Sequence, residues 1–352
     1  MANKKKRKMK KKDKIITLVC ISIILVCCFL LLYYYLSEPT KTPSEVKEEK
    51  KLTIVDQDSN KRPLAVMYDN NVGYDSHAGL QDSYLNYEVI VEGGLTRIMA
   101  LFKDKDVKLI GPVRSSRHYF LDYSLESDAI YCHYGWSEFA KSDISKLGVD
   151  NINGLTNENA YYRDNSISRP HNVFTTSERL YKQAENSNYN VTTKSWKLLN
   201  YSVDNISFDN IFKEDTNEEN EWYRIANSIV LKYSNYQTTS YQYDSENKYY
   251  LRSMDGNPHL DKTTKEQLHY KNIIIEKVKN STLDDYGRQD LETVGTGEGY
   301  YITNGYAAPI TWQKDTRNGK TVYKYENGEE IKVNDGNTFI QIVPITIDPE
   351  IS

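Results

Sequence analysis

Residues 15–36 form a run of 22 positions without a charged side chain, and every other reading of the sequence has to fit around them. As a helix the run spans roughly 33 Å at about 1.5 Å per residue, enough to cross the hydrocarbon core of a bilayer. Nine Lys or Arg and one Asp crowd residues 1–14, and Tyr33, Tyr34 and Tyr35 close the far end, where aromatic rings favour the interface. Positive charge on one flank orients such a helix with that flank in the cytoplasm. The expectation is a single-pass cell-membrane protein: a basic cytoplasmic head (1–14), a transmembrane anchor (15–36) and an extracytoplasmic body. Two other readings stay open: a cleaved signal peptide, whose apolar core is usually shorter and ends at small residues, and a lipoprotein, because Cys20, Cys27 and Cys28 lie in the run. Val precedes both Cys20 and Cys27, where lipid attachment needs a small residue, which favours an uncleaved anchor.

Setting the head aside changes the charge balance. The chain has 45 Lys or Arg against 49 Asp or Glu, and outside residues 1–14 these become 36 and 48. An acidic body argues against nucleic acid as a partner, because neutralising phosphates requires a basic face. Cys132 is the one cysteine outside the anchor, so the body forms no internal disulfide. It reads as a small buried hydrophobe, with His133 on the opposite face of the same strand. The 30 tyrosines against 8 phenylalanines predict half-exposed strands, since each hydroxyl wants a polar partner.

Residues 37–61, with Pro39, Pro43 and a run of Glu and Lys, read as a tether. From 62 to 190 strands alternate with helices. Strands are expected at 63–68, 88–92, 97–102, 107–113 and 129–134, followed by a helix N-capped by Ser137 and C-capped by Gly148. After a long loop at 154–174, a Thr175/Glu178 capping box opens another helix. Residues 191–221 are Asn-rich and acidic, with Trp196 and Phe208 as isolated anchors, and read as an inter-domain linker. From 222 to 346 the pattern is β, punctuated by Asn304-Gly305, Asn318-Gly319, Asn327-Gly328 and Asp335-Gly336, which supply the positive φ of tight turns. Gly295, Gly297 and Gly299 alternate there and allow a tight turn or a close strand approach. The expected fold class is α+β / α/β: an N-terminal mixed-sheet α/β domain, then a mostly antiparallel β domain, behind a single N-terminal transmembrane helix.

The stretch richest in chemistry is 110–117, Ile-Gly-Pro-Val-Arg-Ser-Ser-Arg. A strand-to-helix turn is expected there with Ser115 or Ser116 as N-cap, so that Arg114, Arg117 and the following amides concentrate attraction for an anion. Glu88, Glu92 and Arg97 join as candidates that surround the same ligand, and Asp69 and Asn70 end the first strand of the body. The long loop adds Arg163, Asp164, Arg169, His171 and Asn172, of which Arg163, Asp164 and His171 form a candidate acid/base group. The same charges have a structural use, in which the arginines pair with Glu92 or Asp122 and lock the turn. His77, His118, His259 and His269 show no metal-ligand spacing, and no phosphate-loop, dinucleotide or nucleophile-elbow motif is present.

The segments 62–70 (Arg-Pro-Leu-Ala-Val-Met-Tyr-Asp-Asn), 91–97 (Val-Glu-Gly-Gly-Leu-Thr-Arg), 110–117 and 169–172, with 294–298, Thr311-Trp312 and 336–344, resemble the YerB-like family of bacterial lipoproteins. That resemblance spans residues 60–345. It implies an envelope-facing protein with an α/β domain followed by a β-rich one, and no agreed activity. A partial likeness joins 97–102, 107–114 and 129–148 to the core of the LytR-CpsA-Psr phosphotransferases. It implies that Arg114 holds a lipid pyrophosphate beside a divalent metal. Ser115 after Arg114 and Thr96 before Arg97 depart from that pattern, where acidic metal ligands are expected.

Two functions from different classes follow. The first is a non-enzymatic module, without cofactor, that binds a cell-wall polymer, a lipid-linked precursor or an envelope protein. The second is a metal-assisted phosphoryl transferase or hydrolase, for which magnesium needs carboxylates among Asp69, Glu92, Asp122 and Asp164. The lack of carboxylates next to the arginines favours the first, and no catalytic residue is assigned.

Overall fold

The computed structural model describes residues 10–37, 50–193, 195, 199–212 and 222–352. Most of the basic head, residues 38–49 of the tether, Trp196 and part of the linker lie outside the described residues. The chain divides into two compact units, 1–50 and 51–352. In the first, helix α1 (Lys11–Ser37) is long and apolar enough to cross a membrane. Its cysteines are exposed on the helix surface.

The second unit begins earlier than the tether reading expects. Leu52 and Val55 are buried, and the Asp335 carboxylate accepts from Thr53 N at 2.8 Å and Ile54 N at 3.0 Å. The unit is built on one long sheet. Its N-terminal part comprises β1 (Leu64–Asp69), β2 (Leu85–Ile90), β3 (Thr96–Phe102), β4 (Ile130–His133) and β5 (Asn151–Asn153). Helices α2 (Phe120–Glu126), α3 (Glu138–Leu147) and α4 (Ser177–Asn186) belong to the same region. The C-terminal region adds β6 (Ser228–Lys232), β7 (Thr238–Asp244), β8 (Tyr249–Met254), β9 (Asn272–Val278), β10 (Gly295–Thr303), β11 (Tyr306–Lys314), β12 (Val322–Tyr325) and β13 (Thr338–Pro344).

The long sheet runs β12-β11-β10-β9-β13-β2-β3-β1-β4-β5. Its middle is mixed: β13 is parallel to both β9 and β2, β3 is antiparallel to β2 and β1, and β4 is parallel to β1 and β5. The expected mixed α/β region and mostly antiparallel β region are therefore joined in one sheet by the β2–β13 ladder. A second, antiparallel sheet places β6, β7 and β8 side by side. One hydrophobic core extends from Leu52 to Val343.

Local chemistry explains most elements. Ser137 caps α3 by accepting from Ala140 N, and Gly148 ends it at φ 63°, where a side chain would be strained. Asn304 and Gly305, at φ 53° and 85°, turn β10 into β11. Gly299 lies so close to β9 that a Cβ would meet Ile275 O at 1.9 Å. Several expectations shift. The cap of α4 is Thr176, one residue on from Thr175. Gly319 does not adopt positive φ, so Asn318-Gly319 is another kind of turn. Phe208 is buried among Phe212, Tyr223, Tyr301 and Tyr325 rather than isolated.

The tyrosines also correct the half-exposed reading. Tyr68, Tyr87, Tyr119, Tyr123, Tyr131, Tyr250 and Tyr301 are fully buried. Their hydroxyls find partners inside, including Glu126 for Tyr87, Glu276 for Tyr123 and Asn272 for Tyr301. A satisfied hydroxyl removes the penalty that keeps such a side chain at the surface.

Candidate functional site

The candidate site grows from the end of β1. Side chains alternate across a strand, so Asp69 and its ladder partner Arg97 share one face while Asn70, Thr96 and Glu88 share the other. That parity divides the sequence-derived group in two.

The segment 110–117 is laid against the Asp69 side as an extended chain, not as a ladder strand. Asp69 N donates to Pro112 O at 2.9 Å, Arg114 N to Met67 O at 2.9 Å, and Val113 N to Val173 O at 2.7 Å. Gly111, at φ 142°, is required because a Cβ would meet Val173 O at 2.8 Å. The expected N-cap is absent. Helix α2 starts only at Phe120, and the amides of Phe120, Leu121 and Asp122 already donate to Arg117, His118 and Tyr119 carbonyls, so no free helix amides await an anion. Ser115 Oγ instead donates to Tyr134 O, and Ser116 Oγ accepts from Tyr131.

What gathers there is a set of side chains. Asp69, 2% exposed, receives His171 Nδ1 at 2.7 Å and Arg114 Nε at 3.3 Å on the same oxygen, Oδ2. Arg117 binds Glu92 in two-pronged fashion at 2.5 and 2.9 Å. Burial works to raise the Glu92 carboxyl, but the Arg117 bond and charge and the Arg97 charge hold it below the usual range. Arg97 is 8% exposed and, among the described residues, its guanidinium makes one hydrogen bond, to Ser115 O at 2.5 Å. It has no carboxylate at ion-pair distance among the described residues. Burial, then the Arg117 charge and the weaker Arg114 charge, push its pKa down to about 10 against the pull of Glu92 and Tyr119.

The opposite face holds a closed network. Glu88 and Arg252 are both fully buried and pair at 2.8 Å, with Thr239 Oγ1 donating to Glu88 at 3.0 Å and Asn70 Nδ2 at 3.0 Å. Arg252 continues to His259 Nδ1, His259 Nε2 meets His77 Nδ1 at 2.7 Å, and His77 Nε2 meets Asp69 O at 2.7 Å. A carbonyl can only accept, so His77 carries its proton on Nε2, His259 donates to His77, and Arg252 donates to His259. Burial and the Arg252 charge keep both rings neutral, His77 with a pKa near 4 despite the opposing Asp69 carbonyl. Glu88 thus belongs to this internal network and not beside the arginines. Sequence reasoning missed His77, Arg252 and His259 as its members. The available signal was Arg252 itself, a charge at the inward parity of Tyr250 and Met254 in β8.

The long loop also sorts differently. His171 reaches Asp69, whereas Asp164 accepts from Ser166 N and Oγ within its own turn. Arg163 donates to Asn172 Oδ1 at 2.7 Å and covers the Tyr134 ring, and Asn172 Nδ2 returns to Asp164 O. Those residues hold the loop, and the expected Arg163/Asp164/His171 group does not form. Arg169 is exposed. Asp122 bonds Thr293 and Arg317 instead of Arg114 or Arg117. Among the described residues no three His, Cys, Asp or Glu side chains converge as a metal site would need. Cys132 is buried, and burial raises its thiol pKa, as an inert core residue requires.

Comparison with known proteins finds relatives for the chain and for its fold. The chain matches "Protein of unknown function (DUF3048) N-terminal domain" over residues 52–190 and "Protein of unknown function (DUF3048) C-terminal domain" over residues 229–340. It is similar to a Bacillus subtilis (strain 168) protein named "Putative lipoprotein YerB", 29% identical over 290 residues, covering 81% of this chain and 82% of the relative. Its fold is similar to the crystal structure of YerB from Bacillus subtilis, with a TM-score of 0.71, 27% identity, and coverage of 84% of this chain and 96% of that one.

Proposed function

This chain belongs to the DUF3048 family, and from that premise we propose that it is a membrane-anchored envelope protein whose Arg97–Arg114–Arg117 site binds an anionic wall polymer or lipid-linked precursor. The apolar helix α1 supports membrane association, and the lysine-rich flank supports an inward N-terminus with the body outside.

One observation carries the reading. A buried guanidinium without a paired carboxylate is an unbalanced charge, and Arg97 is in that state beside two further arginines. An arginine kept only to lock a turn ends on a carboxylate, as Arg117 does on Glu92. Arg97 and Arg114 retain donors for a phosphate or a carboxylate, groups to which guanidinium geometry is matched. Asp69 and Glu92, the carboxylates of this face, are already held by cations and favour ligand binding over magnesium capture.

Calorimetric titration of the full chain in detergent micelles tests this, with polyglycerol phosphate as the polymer probe and methylenediphosphonate as the pyrophosphate probe. Saturable binding of at least one is expected. Arg97→Met should weaken it at least about tenfold, the loss of roughly one charge-assisted hydrogen bond. The same variant should keep or raise the melting temperature, since it removes a buried unpaired charge. Absence of heat with both probes, or a variant that simply unfolds, would make the arginines scaffold.

A further inference from the structure

We propose that His171 is the general base for attack on a phosphoanhydride held by the arginines, a step that rests on the anion-binding reading above. Asp69 Oδ2 accepts from His171 Nδ1 at 2.7 Å, which fixes the ring and leaves the lone pair of the neutral imidazole on Nε2. Nε2 has no hydrogen-bond partner among the described residues, and the side chain is 29% exposed, so the ring is held yet reachable. Asp69 is itself fixed. Its amide donates to Pro112 O, its carbonyl accepts from His77, and its carboxylate also takes Arg114. A base oriented by a buried carboxylate is the arrangement that activates a hydroxyl or water for nucleophilic attack. Here Arg114 shares the orienting oxygen, so an anion on that guanidinium lies beside the base.

The same set of groups selects the substrate class. Arginine stabilises charge but gives up no proton, and Asp69, Glu92 and Asp164 are each engaged elsewhere. With one base, and with these three carboxylates engaged among the described residues, a leaving group that departs as an anion fits the site. The phosphate released from a phosphoanhydride is stable in that form, whereas an alkoxide released from an alkyl ester is not. In the step, an oxygen of water or of an acceptor hydroxyl forms the new P–O bond and the bridging P–O bond breaks. The bridging electron pair stays on the departing phosphate beside the guanidinium groups. The nucleophile's proton passes to His171 Nε2 and then to solvent.

The test uses the full chain in detergent micelles, inorganic pyrophosphate as substrate, and methylenediphosphonate, whose CH2 bridge resists cleavage, as the binding probe. Phosphate release from pyrophosphate is expected. His171→Asn retains a donor for Asp69 but removes the base, and should lower kcat by about 10²–10⁴-fold while changing methylenediphosphonate affinity less than about threefold. Binding of methylenediphosphonate without phosphate release would sink the base role and leave the binding site standing. Release undiminished in folded His171→Asn would sink it too, and failure to bind methylenediphosphonate would remove the pyrophosphate site altogether.

Discussion

Glu276 carries a carboxyl into the dry centre of the long sheet, where Tyr123 and Tyr323 donate to its two oxygens at 2.9 and 2.7 Å. Burial, offset in part by the tyrosines and Lys314 and reinforced by Glu126, pushes its pKa from 4.5 up to about 7. A carboxyl raised on folding stabilises fully below the unfolded value and loses that contribution as pH climbs through the folded one. The wild-type melting temperature should therefore fall relative to that of Glu276→Gln between pH 5 and pH 8, by an amount reflecting roughly 3 kcal/mol. Parallel pH-resolved thermal melts check this, and identical slopes would refute it. Nothing near Glu276 in sequence announces this environment, because Tyr123 lies 153 residues away. Ser137 and Gly148 were legible for the opposite reason: a cap is decided by its own turn. Arg97 and Arg114 were legible as a place but not as a geometry, since the fate of each guanidinium depends on residues brought in by other strands.

At the scale of elements, the Glu88–Arg252 pair joins β2 of the long sheet to β8 of the second sheet, with Thr239 of β7 between them. Removing one buried partner leaves the other charged and unpaired. Arg252→Met should destabilise the body by about 3–5 kcal/mol, and adding Glu88→Gln should recover much of that loss. A double-mutant cycle by chemical denaturation measures both, and strict additivity would show that the charges do not depend on each other. Hairpins such as Asn304-Gly305 could be read from two residues because positive φ is a local demand. The sorting of Asp69 and Asn70 to opposite faces was available in the alternation of β1. What each face would meet was not, because His171 and Arg252 come from distant segments.

At the scale of the molecule, α1 and the body make different demands on the cell. With the anchor retained, a peptide from residues N-terminal to Cys20 should be recovered from the membrane fraction by mass spectrometry. A mature chain starting at Cys20, Cys27 or Cys28 and carrying a lipid would overturn the anchor reading. The body has its own constraint in β13, which lies between β9 and β2 and pairs Leu85 with Thr338. Until that strand arrives, β2 presents an open edge, and β9 lacks the parallel neighbour that will cover it. Open edges invite pairing with other chains, and contacts so distant in sequence form slowly. A chain emerging N-terminus first must therefore hold its first half unfinished until nearly all of the rest has followed, so a shielding chaperone or slow delivery should govern its yield more than its final stability does.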